Sequence, residues 1–268
     1  MDMKRHLLII LLSVASAANA INPEREYKWT PDMRGLTYSE YQVTTDDKFK
    51  INVWEYELPG SVETGRTIIL VGPDAGNMSY LIWQANAFLS KGIRVITFDY
   101  RGFGKSADFM INKDFLFYTE FGLDLDSVIR AARQKYPDDK IGLYGISLGT
   151  HISLLRNEKV DFSIAEGFFH DPKKVVDRIK TNKGKTVLVP PDAKPITELR
   201  ENPPMMIFCA SNDKTTTTAD AKEFAQNNTV TLFEFDGDHL GGMHVLTRNE
   251  FGDEYTDKVI AFLEKYQL

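Results

Sequence analysis

The residues best suited to chemistry in this chain stand in the pentapeptide Gly145-Ile146-Ser147-Leu148-Gly149. It follows the apolar run 141–144 and precedes the helix-compatible stretch 150–155. A serine between two glycines at a strand-to-helix turn is the layout of a nucleophile elbow. The turn is sharp, and a side chain at either glycine would collide with the neighbouring strand or helix. The elbow holds the Ser147 hydroxyl at a helix N-terminus, where developing negative charge is favoured. A bare G-x-S-x-G also arises by chance; the flanking strand and helix patterns give this one its weight.

A serine hydroxyl at its ordinary pKa is a poor nucleophile, so a base must come from elsewhere in the chain. Beyond residue 20 the candidates are His151, His170, His239 and His244. His239 stands in Asp236-Gly237-Asp238-His239, just after the apolar run 230–235, in a loop expected at the same sheet edge as the elbow. His244, in the same loop, is its rival. His151 belongs to the helix after the elbow and should point away from the serine, whereas His170 ends a strand and could line the pocket. A third group has to orient the imidazole and stabilise its cation. Asp213, in Ser211-Asn212-Asp213-Lys214, follows the run 205–210 and lies between serine and histidine, the chain order of elbow-based triads. Its competing role is a helix N-cap or Asx turn.

These groups need a scaffold that brings three distant loops to one edge. Residues 38–58 read as two strands, alternating over 41–44 and 49–54 with Asp46-Asp47 as the turn. Short apolar runs follow at 67–71, 95–98, 141–146, 162–169, 205–210 and 230–235, separated by stretches of helical period. Leu125, Val128, Ile129 and Ala132 mark one such stretch, and Val259, Ile260, Phe262 and Leu263 another. The expected fold class is therefore α/β, with a doubly wound, mostly parallel sheet and an N-terminal antiparallel hairpin. The Lys-rich segment 171–202, interrupted by Pro172, Pro190, Pro191 and Pro195, breaks the alternation and reads as a small cap insertion.

The first twenty residues stand apart. Lys4, Arg5 and His6 precede an apolar stretch over 7–15, and Ala18-Asn19-Ala20 is a small-x-small cleavage site, the layout of a secretory signal peptide. The apolar stretch is short of the ~20 residues a spanning helix needs. A retained N-terminal anchor is the alternative. The expectation is an exported protein, periplasmic or secreted, with one domain over 21–268 and no membrane span after cleavage. Composition over the 268 residues, 43% hydrophobic and 26% charged, is that of a globule with a large core. The net charge of −6 argues against nucleic acid as a partner. Cys209, the single cysteine, sits in an apolar run and reads as a buried hydrophobe. No His/Cys cluster has metal-ligand spacing, and the chemistry sketched here requires no cofactor. Asp124 and Asp126, near Arg130 and Arg133 on one helix, read as solvated neighbours; Trp54 and Trp83 read as packing residues, and the lysines of 171–202 as a solvated surface.

Taken together, the elbow, the triad order and the segment Asp99-Tyr100-Arg101-Gly102-Phe103-Gly104-Lys105-Ser106 resemble the α/β-hydrolase superfamily across nearly the whole chain beyond the leader. The run Ala75-Gly76-Asn77-Met78-Ser79 is similar to the Bem46-like and serine-aminopeptidase-like branches, which usually read H-G-N-A-G-N there. In relatives the D-x-R-G-x-G-x-S segment is structural. The resemblance also implies an oxyanion hole formed by the backbone N–H groups of Leu148 and Asp74. Here the sequence departs, with Gly72-Pro73-Asp74 in place of His-Gly-Asn. Pro73 has no N–H to give, and a carboxylate at position 74 opposes a developing oxyanion unless it turns away. The resemblance implies hydrolysis of a small carboxylic ester. A peptidase or amidase of the same fold, and a catalytically silent binding protein, are the alternatives.

Overall fold

In the computed structural model, which describes residues 20–60 and 64–268, the chain opens with the two-residue strand β1 (Asn22–Pro23). The leader read over 1–20 lies outside the described residues except for Ala20. The alternating segment forms the antiparallel pair β2 (Tyr38–Thr44) and β3 (Lys50–Tyr56), with Tyr38 opposite Tyr56 and Thr44 opposite Lys50. Seven further strands follow: β4 (Arg66–Val71), the short β5 (Ala75–Gly76), β6 (Arg94–Phe98), β7 (Lys140–Ile146), β8 (Phe162–Glu166), β9 (Met205–Ala210) and β10 (Val230–Phe235). Between them run α1 (Ile82–Leu89), α2 (Glu120–Lys135), α3 (Leu148–Leu154), α4 (Pro172–Lys183) and α5 (Thr218–Phe224), and α6 (Gly242–Val245) and α7 (Asp253–Lys265) close the chain.

The eight-stranded sheet has the order β10-β9-β8-β7-β4-β6-β3-β2. All pairings from β10 through β6 are parallel, and β6–β3 and β3–β2 are antiparallel. The fold class expected from the alternation of runs and helical periods is thus the observed one. Along β4, Ile68 and Leu70 face the core beneath α1 and α7, while Ile69 and Val71 face the core beneath α2 and α3. Burial on both faces explains why these strands are continuous apolar runs rather than alternating ones.

The chain leaves β4 for β6 on one side and returns to β7 on the other, so strand order reverses at β4. A crevice opens beyond the carboxyl ends of strands at such a reversal, and open α/β sheets place their ligands there. Both Gly72-Pro73-Asp74, after β4, and the Ser147 turn, after β7, open into it.

Three expectations need correction. The run read as a strand over 162–169 stops at Glu166, because Gly167 turns the chain with φ +68°. Asp124 and Asp126 are buried rather than solvated. Asp124 pairs with the buried Arg101 at 2.8 Å, and Asp126 with Arg156 and Lys159 at 2.7 Å, and these cations make burial of the carboxylates tolerable. Trp54 lies in the core, but Trp83 is exposed under the Arg34 guanidinium. The segment 171–202, read from sequence as a small cap insertion, comprises α4 and an irregular, Pro-punctuated return to β9.

Candidate active site

Each arm of the site owes its position to local sequence. Ser147 adopts φ 51° and ψ −115°, a positive φ that a side chain other than glycine tolerates only under constraint. The constraint is visible on both sides of it. A Cβ on Gly149 would lie 1.9 Å from the Val71 carbonyl oxygen, so only glycine lets α3 seat against β4. The Ser147 N–H donates to the Glu166 carbonyl at 2.9 Å, pinning the turn to β8.

The loop after β10 brings His239 to this turn, with Nε2 3.2 Å from Ser147 Oγ. Its Nδ1 lies 2.5 Å from Asp213 Oδ2. The loop after β9 supplies Asp213, whose other oxygen accepts the backbone N–H groups of Thr215 and Thr216 at 2.8 and 2.9 Å. Asp213 is therefore an Asx-turn residue and the partner of His239 at once. Burial pushes its carboxyl up, but the hydrogen bond and charge of His239 and the bonds from Thr216 outweigh this and bring it down to about 2. It stays a carboxylate throughout the physiological range. The Thr216 hydroxyl also donates to Asp213 and stands 3.2 Å from His239 Nδ1.

The other histidines lie elsewhere. His244 stacks edge-on against Phe251 in α6. His151 is buried flat against Phe169, and burial, with His170 nearby, lowers it to about 3. His170 packs against Phe168 and Phe224 and does not face the cavity at Ser147. Cys209 is buried at the end of β9, and burial raises its thiol to about 12.

The cavity at Ser147 has a volume of about 270 Å³. Leu116, Leu148, Phe169, Val175, Ile179 and Val187 form its apolar wall, the last three contributed by the insertion. Its polar side holds Asp74, Lys183 and Lys185. The two lysines, read from sequence as a solvated surface, thus border the cavity.

Asp74 is held from two directions. Tyr100 donates its hydroxyl to the Gly72 carbonyl at 3.0 Å, and the Asp74 carbonyl accepts from Asn22 N–H at 2.8 Å. Its side chain has not turned away: it lies within electrostatic reach of His239. Burial raises the Asp74 carboxyl, against the opposing pull of its own backbone N–H and the charges of His239, Lys183 and Lys185. The carboxylate thus shares the cavity with Ser147 and His239. Leu148 N–H stands at the first turn of α3, behind Ser147.

Glu166 carries a role that sequence reasoning missed. Its buried carboxylate accepts from Gly242 N–H at 2.7 Å, in the loop that carries His239, and from the Tyr144 hydroxyl at 3.1 Å. Burial raises this carboxyl, and those bonds and the charge of His239 pull it back. Gly167 beside it is obligatory in a second sense, since a Cβ there would lie 2.7 Å from His239 Cε1. Asp99, in the D-x-R-G-x-G-x-S segment, accepts from Met78 N–H at 2.8 Å and from the Tyr27 hydroxyl at 2.5 Å, well inside the protein.

A family model described as "alpha/beta hydrolase fold" matches residues 70–156. No curated protein matches the chain. Among solved structures, an esterase from Pyrococcus furiosus is 20% identical over 91% of this chain and 97% of its own, with a TM-score of 0.72. An esterase from Exiguobacterium antarcticum is 17% identical, with 84% of this chain and all of that one covered and a TM-score of 0.58. A Xanthomonas campestris protein described as an a/b serine hydrolase without lid is 17% identical over 85% of this chain and 92% of its own, at a TM-score of 0.56. The chain carries the α/β-hydrolase fold, with the Ser147 turn inside the matched segment.

Proposed function

We propose that the protein is a serine hydrolase that cleaves small carboxylic esters by acyl transfer to water. The observation that carries this reading is the continuous Ser147–His239–Asp213 chain of contacts, 3.2 and 2.5 Å long, from three separate loops. His239 Nε2 takes the Ser147 proton as Oγ attacks the ester carbonyl. Asp213 holds Nδ1–H and stabilises the imidazolium that results. The oxyanion forms against Leu148 N–H at the head of α3, with Asp74 N–H as second donor. His239 then protonates the departing alcohol; the same imidazole takes a proton from water as its oxygen attacks the acyl carbonyl, and gives it back to Ser147 Oγ as the carboxylic acid leaves.

The cavity volume and its apolar wall suit a short acyl chain. Esterases and serine hydrolases among the structures of like fold agree with ester chemistry. We infer export from the leader-like first twenty residues. The test is labelling by a fluorophosphonate probe, expected at Ser147 and lost in Ser147→Ala. Absence of labelling in folded protein would favour a silent binding protein, a reading supported by the altered Gly72-Pro73-Asp74 segment. Comparison of aryl esters with aminoacyl amides then separates esterase from peptidase: faster turnover of the amides would overturn ester specificity.

A further inference from the structure

Ala20 lines the cavity together with Asp74, Ser147 and His239. Ile21 is fully buried next to it. The N–H groups of Ala20 and Ile21 both donate to the Lys113 carbonyl, at 2.7 and 3.1 Å. One residue on, β1 pairs in parallel with β5, Asn22 opposite Ala75. Extending that register by one residue sets Ile21 opposite Asp74, about one strand spacing or ~4.8 Å away. Among the described residues no cation forms an ion pair with Asp74, which is half-buried in the cavity wall. Cleavage after Ala18-Asn19-Ala20, where the leader's layout puts it, would cut the bond between Ala20 at the cavity and the buried Ile21.

We propose that removal of the leader completes the active site: the α-ammonium freed on Ile21 becomes the counter-ion of Asp74. In the cut, water adds across the Ala20–Ile21 peptide bond under a leader peptidase. Ala20 departs with a carboxylate, and Ile21 keeps the nitrogen, which protonates. Since Ile21 is buried in the folded chain, cleavage precedes the docking of this segment.

The new ammonium has three N–H donors where the amide had one. The Lys113 carbonyl can accept one of them. A buried cation needs an opposite charge, and Asp74 is the carboxylate on the facing strand. His239, Lys183 and Lys185 are the other charged or titratable groups that act on Asp74. Drawing the carboxylate toward Ile21 moves its negative charge away from the forming oxyanion, which resolves the conflict created by Gly72-Pro73-Asp74. Loss of Ala20 also widens the cavity beside Ser147. This inference rests on the active-site reading above and on the leader reading.

The test compares protein beginning at Ile21 with protein retaining Ala20 as one extra residue, each with Asp74 and with Asp74→Asn. Two properties are measured: the α-amine pKa of Ile21, by NMR titration of the 13C-methylated terminus, and the fluorophosphonate labelling rate. The amine pKa is expected to be higher by about one unit with Asp74 than in Asp74→Asn. Labelling is expected to be about tenfold faster for the Ile21 form than for the extended form, a gap that closes in Asp74→Asn. An amine pKa indifferent to Asp74, or a gap that persists in Asp74→Asn, overturns the proposal, as does an exported protein that begins at another residue. If no form labels at all, the amine titration alone decides the ion pair, and only the hydrolase reading falls.

Discussion

Replacing Gly149 by alanine tests whether the Ser147 turn depends on the close seating of α3 against β4. The added Cβ would stand 1.9 Å from the Val71 carbonyl oxygen and 2.7 Å from that of Gly72. Close C···O contacts lie near ~3.3 Å, so the head of α3 has to withdraw by about 1.4 Å. The Val71 carbonyl resists yielding instead, because Val71 pairs with Gly145 of β7 and the rest of β4 is held between β6 and β7. Forcing a methyl into a packed site of this kind costs roughly 1–3 kcal/mol, or about 2–12 °C in Tm for a domain of this size. The larger effect should be on chemistry. Ser147 Oγ and Leu148 N–H move with the helix, and a displacement of ~1 Å from productive geometry costs about 10²-fold in rate. Thermal melts and fluorophosphonate labelling on the same samples separate the two effects. Gly72→Ala is the control, since its Cβ would meet only Leu81 at an ordinary 3.7 Å. A Gly149→Ala protein that labels at the native rate would refute the argument.

Asp213→Asn places an amide where the carboxylate meets His239 Nδ1 at 2.5 Å; it favours the wrong imidazole tautomer, and ester turnover should fall about 10⁴-fold with little change in the circular dichroism spectrum. Glu166→Ala leaves the Gly242 N–H and Tyr144 hydroxyl without their acceptor. At roughly 1–3 kcal/mol for each orphaned group, urea melts should show a loss of about 2–6 kcal/mol, while Glu166→Gln, which can still accept from Gly242, should recover most of the kcat lost in the alanine variant. Burial raises the Asp99 carboxyl to about 6, despite hydrogen bonds from Tyr27, Met78 and Lys105. A carboxyl raised above its unfolded value takes up protons on folding, so its contribution to stability is full below the unfolded pKa and is lost as pH rises through about 6. Denaturant melts should therefore show the native protein gaining on Asp99→Asn as pH falls from ~7.5 to ~4.5; a pH-independent difference would contradict the raised pKa.

Much of the site was legible because its signals are local. The strand-to-helix turn at Ser147 is a matter of five consecutive residues, and Gly145 and Gly149 declare it through the space they leave empty. Apolar runs of strand length separated by helical periods prescribe a doubly wound sheet, and that sheet sends the loops bearing Asp213 and His239 to the edge where Ser147 stands. His239 and its rival His244 share one loop, and chain order does not choose between them. The fold does: α6 turns His244 onto Phe251, while Gly167 leaves room for the His239 ring.

Other features depend on which distant residues become neighbours, and no periodicity records that. Asp124 and Asp126 follow the spacing of a solvated helix face, yet Arg101, Arg156 and Lys159 arrive from other segments and make their burial tolerable. The role of Glu166 exists only because β8 passes beneath the loop carrying His239. In the same way, Ala20 reaches the cavity only because β1 pairs with β5. Turn chemistry and hydrophobic period act over a few residues, and the sequence alone determined the Ser147 turn, the strands and the chain order of Ser147, Asp213 and His239. Burial and charge pairing act through space, and only the tertiary structure decided what faces Asp74, what holds His239 and what closes the cavity.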